Sequence, residues 1–241
     1  MTVHLVGAGP GDPELLTVRA LRLLSAADVV LHDRLVSEET LAMVRPGAVL
    51  IDVGKEAGGR AMPQAEINRL LVEHGRTGEV VVRLKGGDPY VFGRGGEEAQ
   101  ALLDAGIHVE VVPGISSAIA APTAAGIPVT MRNQALAFTV VTGHEDPNGS
   151  AAVDWEAHVA TGATLVILMG AARIGVIAAR LLAAGMRPDM PVVAVRAAFT
   201  PRQLVIRTTL AEVGDAGIAS PSTIVIGEVA ALDLHTLPIE H

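Results

Sequence analysis

The chain has 241 residues, half of them hydrophobic and 18% charged, and a formal charge of −8 from 18 Lys plus Arg against 26 Asp plus Glu. That composition excludes disorder as the main state and supplies enough core for one large domain or two of roughly 100 to 150 residues. With no Cys, disulfides, thiolate metal sites and cysteine nucleophiles are excluded, and with 2% aromatics the core is left to Ala, Val, Leu and Ile. The longest strongly apolar stretch falls short of the roughly 20 residues of a membrane span, and residues 1–10 lack a basic segment followed by an apolar one. A cytoplasmic protein with no membrane partner is expected. No Lys/Arg-rich run concentrates charge for phosphates, so nucleic acid is not an expected partner either. Of the basic residues 16 are Arg, and the two Lys, Lys55 and Lys85, both fall in glycine-bearing segments.

Short apolar runs alternate with helical patterns from the first residue, the pattern of βα units and a mostly parallel sheet. Strands are predicted at Val3–Val6, Val29–His32, Val49–Asp52, Val80–Leu84 and Val109–Val112. Crossover helices are predicted at Pro13–Ala26, where Leu16, Ala20, Leu23 and Leu24 share a face, and at Gln64–His74, where Ile67, Leu70 and Leu71 do. Pro113-Gly114 breaks the pattern, and Ser116–Ala125 reads as a helix with Ser116 as its cap. The second half restarts with strands at Ala137–Thr142, Thr164–Met169, Pro191–Val195, Val205–Thr209 and Thr223–Gly227, and a helix at Ile174–Ala184. The hairpin-like spacing of the last three strands predicts a mixed sheet. Residues 143–154 are the most loop-like segment. Two α/β domains of similar size, 1–113 and 114–241, are expected, and a cleft between two such domains is a default ligand site.

Gly7-Ala8-Gly9-Pro10-Gly11-Asp12-Pro13 follows the first strand where a dinucleotide fingerprint would sit. Asp12 stands at the third glycine position, where its carboxylate would face a pyrophosphate, and with Pro13 it reads better as a helix start. Lys85-Gly86-Gly87-Asp88-Pro89 ends the fourth strand, at the sheet edge where ligands bind. Two adjacent Gly there permit close backbone approach, and Asp88 is either an acceptor for a ligand or the start of another helix. His32-Asp33-Arg34 closes the second strand and Val53-Gly54-Lys55 the third. Neighbouring strands would place Asp33 and Lys55 at one edge, as an acid–base pair or as a surface ion pair.

Several chemistries find no support. The eight His include no metal-ligand pair spacing, so no metal is expected. There is no G-x-S-x-G elbow, and no G-x-x-x-x-G-K-[ST] loop.

In order along the chain, VGAGPGDPELLT (6–17), ADVVLHDRLVS (27–37), VGK (53–55), VVRLKGGDPYVFGRGGEE (81–98), VEVVPGISSAIAAPTAAGIPVT (109–130), VTGHE (141–145) and ILMG (167–170) closely resemble the tetrapyrrole methylase family. The run RLKGGDPYVFGRGGEE resembles the branch that acts on uroporphyrinogen III. The resemblance implies methylation of uroporphyrinogen III at C2 and C7 by S-adenosylmethionine, through precorrin-1 to precorrin-2, at the entry to sirohaem and cobalamin. It implies a homodimer with the cofactor in the interdomain cleft. By the same resemblance the cofactor would touch Pro10, Gly86, Gly87, Asp88, Val91, Ser116, Ser117, Met169 and Ala198. Asp33 would accept a proton and Lys55 would donate one.

A substrate with eight carboxylates needs local positive charge. Arg34, Arg83, Arg94 and Arg132 are the expected contacts, with Lys55 and Arg60 nearby in sequence. The chain departs from the family pattern at Met131, where the family has His, and at Arg196, Phe199 and Leu204, where it has Glu, Thr and Arg. The dehydrogenase and ferrochelatase module fused in some relatives is not expected. A related precorrin or diphthine methylase and a non-catalytic tetrapyrrole carrier are the rival readings.

Overall fold

The computed structural model describes residues 1–54, 62–144 and 153–234, and the chain divides into two compact units, Met1–Ser116 and Ser117–His241. In the first unit β1 (Thr2–Gly7), β2 (Val29–His32), β3 (Val49–Asp52), β4 (Val81–Lys85) and β5 (His108–Val112) alternate with α1 (Val18–Ala26), α2 (Glu38–Leu41), α3 (Gln64–Gly75) and α4 (Gly95–Asp104). All five strands are parallel, in the order β3-β2-β4-β1-β5. Successive strand residues face opposite sides. Val3, Leu5, Leu31 and Val81 therefore pack with Ile67 and Leu71 of α3 and Ala99 and Leu102 of α4. Val6, Val30, Val82 and Leu84 pack on the other face with Ala20 and Leu24 of α1. A parallel sheet covered on both faces has no polar side, which is why its strands read as unbroken apolar runs.

The apolar pattern of residues 13–26 predicts one helix, and the structure divides it. Asp12 accepts from the Glu14 N–H at 2.8 Å and caps a single 3-10 turn, Pro13–Leu15. The chain is extended at Leu16 and Thr17, and the Thr17 hydroxyl then caps α1 by accepting from the Ala20 N–H at 3.1 Å. Each capping side chain satisfies its own set of free N–H groups, so two starts are built where periodicity shows one.

The second unit holds α5 (Ser117–Ala124), β6 (Phe138–Thr142), α6 (Trp155–Thr161), β7 (Thr164–Leu168), α7 (Ile174–Ala183), β8 (Pro191–Arg196), β9 (Leu204–Thr209) and β10 (Ser222–Ile226). Its sheet has the order β6-β7-β10-β8-β9. β6 and β7 are parallel, β10 is antiparallel to both β7 and β8, and β8 pairs antiparallel with β9. The expected mixed sheet is present. Since β10 reverses between them, β6, β7 and β8 run the same way and end at one edge. Ile174, Ile177 and Leu181 of α7 pack on Leu165, Ile167 and Ile224, and Ala121 and Ala124 of α5 pack on Val193, Val195 and Val225. Among the described residues no helix is long and apolar enough to cross a membrane.

Candidate functional site

Parallel strands bring their carboxyl ends to one edge of the first sheet, where both glycine loops begin. The Ala8 N–H donates to the Lys85 carbonyl at 2.7 Å, and Gly9 and Gly87 exchange N–H···O bonds of 3.2 and 2.8 Å. A Cβ on Gly7 would lie 2.6 Å from the Gly87 carbonyl oxygen, and one on Gly114 only 2.2 Å from that same atom. The close approach that these glycines permit is therefore that of the protein's own backbone, strand end on strand end. Asp88 fastens the joint: Oδ1 accepts from the Tyr90 N–H at 2.8 Å and Oδ2 from the Gly114 N–H at 3.1 Å. It begins no helix, since α4 starts at Gly95. Gly86 differs from its neighbours. A Cβ there would meet Leu35 Cβ at 3.5 Å, an ordinary contact, so the backbone beside it is not walled in.

Beneath this loop lies a network of four charges. Arg83 and Lys85 leave the same face of β4, and both are buried, as is Glu98 of α4. Arg83 Nε donates to Glu98 Oε1 at 3.0 Å, and its Nη2 donates to Asp33 Oδ1 in a short bond. Lys85 Nζ donates to Glu98 Oε1 at 3.1 Å and stands 3.9 Å from Asp33 Oδ2. Gln64 Nε2 of α3 adds a third donor to Glu98 Oε1 at 3.3 Å. Asp33, just past β2, is the member that reaches solvent, with its side chain 32% exposed. Burial, with the Arg83 guanidinium beside it, pushes the Lys85 ammonium below the ordinary lysine range, and Asp33 and Glu98 partly offset this.

The expected substrate contacts divide. Arg83 was expected to receive a substrate carboxylate, but it is 1% exposed and its donors go to Glu98, Asp33 and the Leu31 and Leu84 carbonyls. A guanidinium in that position serves Asp33 rather than a ligand. Arg34 and Arg132 are exposed. Arg94 is exposed as well, in a bidentate pair with Glu97 at 2.8 and 2.7 Å that raises the arginine and lowers the glutamate from their ordinary ranges. β2 and β3 are neighbours, and a Cβ on Gly54 would lie 2.6 Å from Arg34 Cβ, so the ends of these strands are in contact. Lys55 and Arg60 lie outside the described residues.

Pro10, Gly86, Gly87, Asp88 and Val91 lie in the loops at this carboxyl edge, and Ser116 ends the unit. In the second unit Ser117 opens α5, Met169 follows β7 and Ala198 follows β8. Met169, Ala197 and Phe199 have φ of 56°, 49° and 57°, a backbone region that non-glycine residues seldom occupy and that clusters at ligand sites. Met169 is 53% exposed, whereas Ala198 is buried in the core, which leaves only its backbone for a ligand. Sequence reading missed Lys85 and Glu98 as members of a site. The available signals were the scarcity of Lys and the second acid of GRGGEE, but burial of that acid is not legible from a helix start rich in polar residues.

A family model described as Tetrapyrrole (Corrin/Porphyrin) Methylases matches residues 2–214. An S-adenosyl-L-methionine-dependent uroporphyrinogen III methyltransferase of Methanosarcina barkeri is 47% identical over 95% of this chain and 92% of its own. A siroheme synthase of Edwardsiella ictaluri is 48% identical over 95% of this chain and 50% of its own, so the chain spans about half the length of such relatives. The crystal structure of a uroporphyrin-III C-methyltransferase of Thermus thermophilus, complexed with S-adenosyl homocysteine, is 45% identical, with a TM-score of 0.84 over 96% of this chain and 99% of that one. Two α/β units, carboxyl-edge glycine loops and these matches lead to one conclusion: the chain belongs to the tetrapyrrole (corrin/porphyrin) methylase family.

Proposed function

We propose that this chain methylates uroporphyrinogen III at C2 and C7, using S-adenosylmethionine, to give precorrin-2 by way of precorrin-1, and that it works as a cytoplasmic homodimer. The observation that carries this reading is Asp33, a half-buried carboxylate held by the buried Arg83 at the same carboxyl edge where Gly86 leaves its backbone open to a ligand. Gly86, whose backbone is open at the carboxyl edge of the first sheet, supports a bound cofactor there. Bound S-adenosylmethionine supplies a methyl group already activated by its positive sulfur. The protein's own task is alignment and charge management. Gly86, Gly87 and Asp88 shape one wall, Pro10, Val91, Ser116, Ser117, Met169 and Ala198 are the further contacts, and Asp33 takes the proton that the cationic macrocycle sheds from another position once the methyl–carbon bond has formed and the sulfur has left as a neutral thioether. Lys55 is the proton donor in this scheme.

Recognition of a substrate with eight carboxylates falls to exposed Arg side chains. Arg34 and Arg132 are the better candidates, because a carboxylate reaching Arg94 would have to displace Glu97. An anaerobic assay with uroporphyrinogen III, counting added methyl groups by mass, tests the reaction: two additions support it. Binding without conversion of the cofactor indicates a carrier, and activity only on a later precorrin or on diphthine indicates a relative of other specificity. Asp33→Asn keeps the shape and removes the charge. Its single-turnover rate is expected to fall by about 10²-fold or more with cofactor binding retained, the scale of a general base. Turnover at the wild-type rate would remove Asp33 from the chemistry.

A further inference from the structure

We propose that Lys85 and Glu98 are positioning residues for Asp33: Glu98 holds the Arg83 and Lys85 cations side by side, and the two cations fix the direction of the Asp33 carboxylate at the sheet edge. The inference rests on the reading of Asp33 as the proton acceptor. Glu98 is fully buried on α4, and its Oε1 receives Arg83 Nε at 3.0 Å, Lys85 Nζ at 3.1 Å and Gln64 Nε2 at 3.3 Å. Arg83 spans the two acids, with Nε on Glu98 and Nη2 on Asp33. Lys85 stands against the other Asp33 oxygen at 3.9 Å.

Stability does not account for such an arrangement. Burying paired charges in place of apolar groups of similar volume is at best neutral, since desolvation consumes most of the Coulomb attraction. The network's geometry gives it another use. Three of its members are buried and the fourth, Asp33, carries the orientation outward to where a ligand is reached. A carboxylate hydrogen-bonded to one cation through one oxygen and facing a second cation with the other is biased to one direction, and a displacement on the order of 1 Å at a reacting group costs about 10²-fold in rate.

The groups that face Lys85 are Arg83 on β4, Asp33 after β2, and Glu98 and Glu97 on α4. Because Lys85 titrates below the ordinary lysine range, raising the pH discharges it. Asp33 then loses the cation at its second oxygen. The rate should therefore decline on the alkaline side of the profile through Lys85.

The test uses the full chain with uroporphyrinogen III under anaerobic conditions. For Lys85→Met, kcat is expected to fall by about one to two orders of magnitude, with the affinity for S-adenosyl homocysteine held within about twofold, and the alkaline decline should vanish. Lys85→Arg should move that decline to higher pH. If Lys85→Met alone does not fold, the double variant Lys85→Met/Glu98→Gln removes one cation and one anion together and decides the question by the same readouts. Wild-type kcat and an unchanged alkaline limb in either folded variant would overturn the inference. The outcome is separable from the fate of the proposed reaction. Loss of turnover in Asp33→Asn beside normal Lys85→Met refutes only the positioning role, whereas normal turnover in Asp33→Asn refutes the acceptor role itself.

Discussion

Gly86 and Gly114 show how the same residue type serves two ends a few ångströms of environment apart. A Cβ on Gly114 would press within 2.2 Å of the Gly87 carbonyl oxygen and 2.8 Å of Gly7 Cα, both backbone atoms that cannot swing aside. Gly114→Ala is expected to destabilise the fold by about 1–3 kcal/mol or more through overpacking, read from urea unfolding. A side chain at Gly86 meets only Leu35 Cβ at 3.5 Å. Gly86→Val should melt close to wild type and yet bind S-adenosyl homocysteine much more weakly by calorimetry; unchanged affinity would take this loop out of the site. Gly87 is a poor probe of the same question, because its φ of 65° strains any side chain placed there.

At the scale of the element, α4 carries structure and site on one helix. Its buried face presents Ala99 and Leu102 to the sheet and Glu98 to the cations of β4, while Glu97 pairs with Arg94 in solvent. Magnitudes rank these contacts. Leu102→Ala removes a fully buried side chain and is expected to cost about 2–5 kcal/mol. Glu98→Ala leaves the buried Lys85 without its nearest anion and should cost about 3–5 kcal/mol. Glu97→Ala breaks an exposed pair and should cost no more than about 1 kcal/mol. Urea unfolding of the three variants checks the order, and a Glu97→Ala loss equal to that of Glu98→Ala would contradict it.

At the scale of the molecule, each unit closes its own cores. Among the described residues, the apolar clusters on the two faces of the first sheet draw only on residues of Met1–Ser116, and those of the second sheet only on residues of Ser117–His241. A segment with a complete core and a paired sheet satisfies its backbone and buries its apolar surface without the rest of the chain. Residues 1–116 expressed alone are expected to unfold in one cooperative transition by circular dichroism. A sloping, non-cooperative melt would show that the first unit depends on the second.

Much of this was legible in the sequence, because the signals are local. Period-2 and unbroken apolar runs marked every strand to within a residue or two, and the spacing of the last three runs marked the antiparallel part of the second sheet. The ordered motifs from VGAGPGDPELLT to ILMG carried the family, and Asp33 was placed at a strand end, beside the chain that leads into Lys55. What the sequence by itself determined, then, is where the strands run and which family the chain belongs to. Only the tertiary structure decided what the charged residues do. Arg83 looks like any other basic residue of the motif, but β4 lies between β1 and β2 and under α4, so its side chain is driven inward and must find anions there. Burial and pairing depend on which elements cover a residue, and residue spacing along the chain does not record that. The same reason separates Arg83 from exposed Arg34, Gly114 from Gly86, and Glu98 from its neighbour Glu97.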